Sequence, residues 1–230
     1  TDKPDRWEWH VCPCCPPMFL KIMAAMPGYI YAYQGDNVYV NLFIGSEVRV
    51  PVGKSNSVRL KQLTSYPWHG AVSIQVNPDK ASTFSMKVRI PGWAQGTENP
   101  YDLYQSNLKA PVKLKVNQED VLLRIVDGYA EINREWKKGD HIELELPMQP
   151  RLITANKAVE NLRGQVALAS GPIIYCFEDA DNPELQTFKL QAQTPLELSH
   201  DSNLLNGVNI IKCQGDIPAK AIPYYAVANR

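Results

Sequence analysis

The spacing of apolar residues most constrains this chain, because over much of its length it recurs with period two. Val38, Val40, Leu42 and Ile44 alternate with Tyr39, Asn41 and Phe43. Val72, Ile74 and Val76 repeat the pattern, and Phe84, Met86, Val88 and Ile90 alternate with Ser85, Lys87 and Arg89. Val112, Leu114 and Val116 follow, then Ile142, Leu144, Leu146 and Met148 against His141, Glu143 and Glu145. Alternation sustained over about four to eight residues predicts strands with one buried face. Turn chemistry punctuates the runs at Gly35-Asp36-Asn37, Pro91-Gly92, Asp127-Gly128 and Lys138-Gly139-Asp140. Many short strands at this spacing predict a mainly β fold, a β-sandwich.

Helices are confined by composition. With 18 prolines in 230 residues, few stretches run long enough without Pro or Gly. The best candidate is Met18-Phe19-Leu20-Lys21-Ile22-Met23-Ala24-Ala25-Met26, entered through Pro16-Pro17 and stopped by Pro27-Gly28. Apolar nearly all round, it is expected to be buried. Residues 1–35 therefore read as a helical segment, 36–150 as the sandwich and 151–230 as a second β-sheet region. Between Pro147 and Asn161 the alternation lapses. It resumes at Gln165–Ala169 and Pro172–Cys176, and a last strand pair is expected at Gly207–Cys213 and Ala219–Val227.

The charge balance narrows the function. Lys and Arg total 24, as do Asp and Glu, so the basic footprint of a general nucleic-acid binder is missing. No apolar run approaches the roughly 18 residues of a membrane helix. Thr1 is no initiator methionine, and the chain stops at Ala226-Val227-Ala228-Asn229-Arg230 directly after an apolar run. Both ends read as cut, which predicts a fragment of something longer.

The chemistry concentrates in Cys12-Pro13-Cys14-Cys15-Pro16-Pro17, at the mouth of the helix. Thiolates are ligands that zinc prefers, and a helix N-terminus or a bound cation lowers a thiol pKa. Adjacent cysteines close a disulfide only with strain. The plainer alternative is three buried structural thiols in a turn, since free cysteine is often buried. Zinc needs four ligands, or three with an open position, and this cluster supplies two or three; Asp5, Glu8 and His10 are candidates for the remainder, without a recognised spacing. The other two of the five cysteines, Cys176 and Cys213, stand alone in strand-like runs.

The run Trp9-His10-Val11-Cys12-Pro13-Cys14-Cys15-Pro16-Pro17, followed by Gly28-Tyr29-Ile30-Tyr31, resembles glycoside hydrolase family 127, the bacterial β-L-arabinofuranosidases. The resemblance continues through Asp36–Ser46, Arg89-Ile90-Pro91-Gly92-Trp93, Gly128-Tyr129 to Trp136, and Leu146–Arg151, and ends at Ile222-Pro223-Tyr224-Tyr225-Ala226 and Asn229-Arg230. It implies the end of an (α/α)6 barrel followed by β-sandwich domains. It implies that Cys14 is nucleophile and zinc ligand, and that Cys15 is a second zinc ligand. The remaining zinc ligands and the acid/base glutamate would lie upstream, so the zinc site is expected to be incomplete here and the isolated chain inactive. Met18 stands where family members often have Asn, which implies an altered pocket wall. The expected partner is a carbohydrate substrate, with no nucleic acid and no membrane; a homo-oligomer stays open. The expected compartment is bacterial, cytoplasm or periplasm.

Other residues carry weaker signals. Trp7, Trp9, Trp68, Trp93 and Trp136 could stack on sugar, but core packing explains most tryptophans, and Trp9 is closest to the cysteines. Paired carboxylates are the usual glycosidase apparatus, yet Glu143 and Glu145 lie on the polar side of an alternating strand, a solvated face. The non-enzymatic alternative is a β-sandwich module for carbohydrate binding or domain support.

Overall fold

The computed structural model describes residues 11, 12 and 14–229. Two short helices come first, α1 (Cys15–Ala25) and α2 (Pro27–Ile30). Six strands follow: β1 (Tyr31–Gln34), β2 (Asn37–Val40), β3 (Ser46–Val52), β4 (Asn56–Thr64), β5 (Ala71–Pro78) and β6 (Ser82–Arg89). Next come β7 (Tyr104–Ser106), β8 (Lys113–Val116), β9 (Glu119–Asp120), β10 (Ile125–Val126), β11 (Tyr129–Trp136) and β12 (Asp140–Glu145). The last six are β13 (Arg151–Ala155), β14 (Val166–Ser170), β15 (Ile173–Phe177), β16 (Leu196–Asp201), β17 (Val208–Cys213) and β18 (Ala219–Pro223). The fold is mainly β, as the alternation predicts. No helix among the described residues is long and apolar enough to cross a membrane.

The chain divides into two compact units. The first takes the described residues up to Pro91 together with Pro111–Leu146; the second takes Gly92–Ala110 and the chain from Pro147 onward. Residues 92–110, which the alternation assigns to the sandwich, thus belong with the second unit. The reason is strand pairing: β7 joins β13 through Ile153↔Ser106, Thr154↔Gln105 and Ala155↔Tyr104.

The first unit is a sandwich of a five-stranded sheet, ordered β1-β2-β6-β11-β10, and a six-stranded sheet, ordered β3-β4-β5-β12-β8-β9. Inward positions are those that period two selects. Val38, Met86 and Ile132 stand in one row of the first sheet, and Ile74, Ile142 and Val116 in one row of the second. All six are buried. At the end of β11, Trp136 is fully buried, and its indole Nε1 donates to Phe84 O at 3.0 Å, which satisfies the one polar atom of the ring. Asp127 and Gly128, with φ of 52° and 80°, form the two-residue turn between β10 and β11. Positive φ at both positions matches the twist of the paired strands.

The second unit is one seven-stranded sheet, ordered β16-β17-β18-β15-β14-β13-β7. One core cluster gathers Leu152, Leu168, Tyr175, Ile211, Cys213 and Ala221. A second gathers Val208, Ile210, Ile222 and Ala226. Strand β13 occupies the stretch that reads from sequence as a break, and it opens on a buried Arg151.

The helix corrects one expectation. None of the residues of α1 is buried, and Phe19 and Leu20 remain 62% and 66% exposed. Nothing among the described residues packs over these side chains. The apolar composition of the run is matched by no partner among the described residues.

Candidate active site

The three thiols stand where the chain enters α1. Cys14 is the capping residue, with helical angles (φ −66°, ψ −34°) and no side-chain cap bond, and proline fills the first turn. Proline has no N–H, so Pro16 and Pro17 remove two donors that a helix N-terminus would otherwise leave unpaired. Met18 N reaches back to Cys14 O at 3.4 Å and closes the turn. The sulfurs are therefore held by backbone that prolines stiffen on the helix side of the turn.

Their geometry is specific. Cys12 Sγ lies 3.2 Å from Cys14 Sγ, and Cys14 Sγ lies 3.8 Å from Cys15 Sγ, all three residues exposed. A tetrahedral zinc with Zn–S near 2.3 Å has an S···S edge of about 3.8 Å. The Cys14–Cys15 separation matches that edge, while the Cys12–Cys14 separation is short of it. Among the described residues no group of three His, Cys, Asp or Glu side chains converges as a metal-holding set. The pair Cys14 and Cys15 thus fits as half of a zinc site. Asp5, Trp7, Glu8, Trp9 and His10 lie outside the described residues.

Hydrogen bonding divides the acidity of the cluster. The Cys12 thiol is held below its ordinary value, first by the Cys14 backbone N–H and then by the Cys14 side chain. The Cys14 thiol is pushed up, first by its contact with Cys12 and then by that with Cys15. These contacts alone place the first negative charge on Cys12. A cation shared by Cys14 and Cys15 would reverse the order, because metal binding deprotonates a coordinating thiol outright.

A polar brace fixes the helix to the sandwich. Met26 N donates to Ile22 O and Tyr29 N to Met26 O, both at 2.9 Å, carrying the chain from α1 through α2. Asn41 then clamps this turn. Its backbone N–H donates to Ile30 O at 2.8 Å, its Nδ2 to Tyr29 O at 3.3 Å, and its Oδ1 accepts from Tyr129 OH at 2.9 Å. One residue later, Tyr31 joins the two sheets. Gln62 Nε2 donates to Tyr31 OH at 2.9 Å and to Leu42 O at 3.2 Å. Ser46 Oγ, 3.0 Å from Tyr31 OH, gives its own proton to Ile44 O at 2.7 Å, so the phenol is the donor to Ser46. Sequence reasoning missed Asn41, Tyr129 and Gln62 as positioning residues. The available signal was polar side chains within otherwise alternating strands, of which Gln62 is 1% exposed at an inward site.

The remaining candidates resolve into structural roles. Trp136 is core, Trp68 is half-buried, and Trp93 stacks under the Arg151 guanidinium at 5.3 Å. Glu143 and Glu145 lie opposite Lys115 and Lys113 across the β12–β8 ladder, and His141 Nε2 is 3.3 Å from Glu143 Oε1. His69 and His200 are exposed.

The fold and the cysteine geometry can now be set beside known proteins. Residues 37–148 match the family description "Beta-L-arabinofuranosidase, GH127 middle domain", and residues 150–230 match "Glycoside hydrolase family 127 C-terminal domain". This chain belongs to glycoside hydrolase family 127. The cysteine segment precedes both matched ranges. A non-reducing end beta-L-arabinofuranosidase of Bifidobacterium longum subsp. longum is 30% identical over 236 residues, covering 95% of this chain and 32% of that protein. The solved structure of a GH127 beta-arabinofuranosidase superposes with a TM-score of 0.90 at 36% identity, covering 99% of this chain and 38% of the other. The GH127 beta-L-arabinofuranosidase Ara127N-Se from Geobacillus stearothermophilus T6 superposes with a TM-score of 0.85 at 34% identity, covering 99% and 37%. The family 127 chain described here spans about a third of the length of these relatives.

Proposed function

We propose that this chain supplies the nucleophile and two of the zinc ligands of a retaining glycoside hydrolase that acts on β-L-arabinofuranosides. One observation carries the reading: in a family 127 chain, Cys14 and Cys15 hold their sulfurs 3.8 Å apart at a proline-stiffened helix entrance. Cys14 and Cys15 would hold the zinc, which when bound keeps a thiol ionised near neutral pH and fixes its direction. The Cys14 thiolate attacks the anomeric carbon as the bond from that carbon to the leaving oxygen breaks. The leaving oxygen takes its proton from a carboxylic acid, and none of the described carboxylates groups with the sulfurs to supply it. Water then displaces Cys14 from the anomeric carbon, giving up a proton to the same carboxylate and restoring the thiolate. Two inversions at one carbon retain its configuration. The exposed α1 face is the surface that helices of the complete enzyme would cover.

The test is zinc per chain by plasma mass spectrometry on the protein at its natural length, repeated with Cys14→Ala and Cys15→Ala. One zinc per chain, lost in either variant, is expected. Zinc retained in full by both variants would overturn the assignment.

A further inference from the structure

A second site stands in the second unit, where the loop of residues 187–195 meets the loop of residues 214–217. Gln214 N donates to Pro195 O at 2.9 Å and joins the two loops. Between them lies a cavity of about 330 Å³, within the range of roughly 300–1,000 Å³ that small-molecule sites occupy. Phe188 forms its apolar wall. That ring is half-buried, and it is held by Phe177 at a centroid distance of 5.0 Å and by the adjoining core cluster.

The polar lining is unusual in being unspent. Lys189 and Asp216 both line the cavity, yet among the described residues neither has an ion-pair or hydrogen-bond partner. Gln191 and Gln193 line it as well, and the Nε2 of Gln193 donates to the Oε1 of Gln191. That bond uses one donor and one acceptor, leaving the Gln191 amide N–H groups and the Gln193 carbonyl oxygen for a ligand. The turn is braced from within: Gln191 N donates to Thr194 Oγ1 at 3.1 Å, and Thr194 N to Gln191 O at 3.0 Å. The cavity therefore offers donors (Lys189, Gln191) and acceptors (Asp216, Gln193) beside an aromatic face, with opposite charges that cancel.

An anionic ligand would meet Asp216 and a cationic one Lys189. A neutral polyol satisfies both, because each hydroxyl donates and accepts, and the C–H face of a sugar ring packs on Phe188. We propose that this cavity is an accessory saccharide-binding site for a neutral mono- or disaccharide unit. It rests on the proposed function only for the choice of sugar, an L-arabinofuranose oligomer.

The test is a titration of the full ¹⁵N-labelled chain with a neutral L-arabino-oligosaccharide, read from backbone amide shifts, with an oligogalacturonate as the charged control. Saturable shifts are expected in residues 187–195 and 214–217, absent with the oligogalacturonate. Asp216→Ala and Gln191→Ala should each weaken binding about tenfold, and since both residues are exposed, thermal unfolding should not move. No shifts in these two loops, or shifts indifferent to both substitutions, would overturn the site. Zinc content is read separately, so the two readings fail independently: sugar bound here by a chain whose cysteines take no zinc sinks only the catalytic reading. Zinc held by the cysteines with no sugar in this cavity sinks only the accessory site.

Discussion

Removing Glu98 should destabilise the second unit far more than an ordinary ion-pair deletion. Arg151 Nε and Nη2 donate to the two Glu98 carboxylate oxygens at 2.7 and 2.9 Å, and Nη1 donates to Gly171 O at 2.7 Å. The two side chains are only 3% and 6% exposed. Glu98→Ala leaves a guanidinium buried without its counter-charge, which costs about 3–5 kcal/mol. For a unit of this size, 3 kcal/mol lowers the midpoint by roughly 12–24 °C. The control is Glu160→Ala, which breaks the Arg163–Glu160 pair, 59% and 76% exposed, where the expected loss is at most about 1 kcal/mol. Replacing both partners, Glu98→Leu with Arg151→Met, should fall within about 2 kcal/mol of wild type, because the penalty lies in the orphaned charge and not in the lost attraction. Urea unfolding of the four proteins separates these cases. Glu98→Ala as mild as Glu160→Ala would refute the reasoning. The pair also sets a pH dependence. Burial, the largest single influence, raises the Glu98 carboxyl, but the Arg151 hydrogen bonds, the Ser106 side chain and the Arg151 charge together outweigh it and the net shift is downward. Its contribution is then complete above the unfolded glutamate value of about 4.3 and is lost as pH falls through the lower folded value. Glu98→Gln should flatten that acid limb.

Three further outcomes follow from the geometry. Trp136→Ala empties the sandwich core and should cost about 3–5 kcal/mol in urea unfolding; a loss under 1 kcal/mol would mean the indole is not packed. Asn41→Ala removes the clamp on Tyr29 and Tyr129, costing about 1–3 kcal/mol and raising amide exchange at Tyr29 and Leu42; unchanged exchange there would count against the brace. Iodoacetamide at pH 7.5 should label Cys12, Cys14 and Cys15 but spare Cys176 and Cys213, whose thiols are pushed up to about 11, chiefly by burial. Peptide mass spectrometry checks this, and early labelling of Cys213 would contradict it.

Legibility from sequence depended on whether a strand keeps polar groups off its inward side. Strands β5, β6 and β12 do, and their apolar residues stand in the core. Strand β4 places Gln62 at an inward site, and β13 opens on buried Arg151. Both evade a pattern search, because their donor groups are taken up by Tyr31 and Leu42 in one case and by Glu98 and Gly171 in the other. Those partners lie 20 to 53 residues away in the chain.

By itself, then, the sequence determined the β class, about half of the strand positions, the turn at Asp127-Gly128, and the cysteine cluster with its prolines. Each rests on interactions between near neighbours. Only the tertiary structure decided that residues 92–110 join the second unit, that α1 stays uncovered by the described residues, that Asn41 and Gln62 brace the turn that follows α2, and that Lys189 and Asp216 share a cavity without pairing. Each of these depends on which distant groups meet, and periodicity carries no information about the partners of a polar atom.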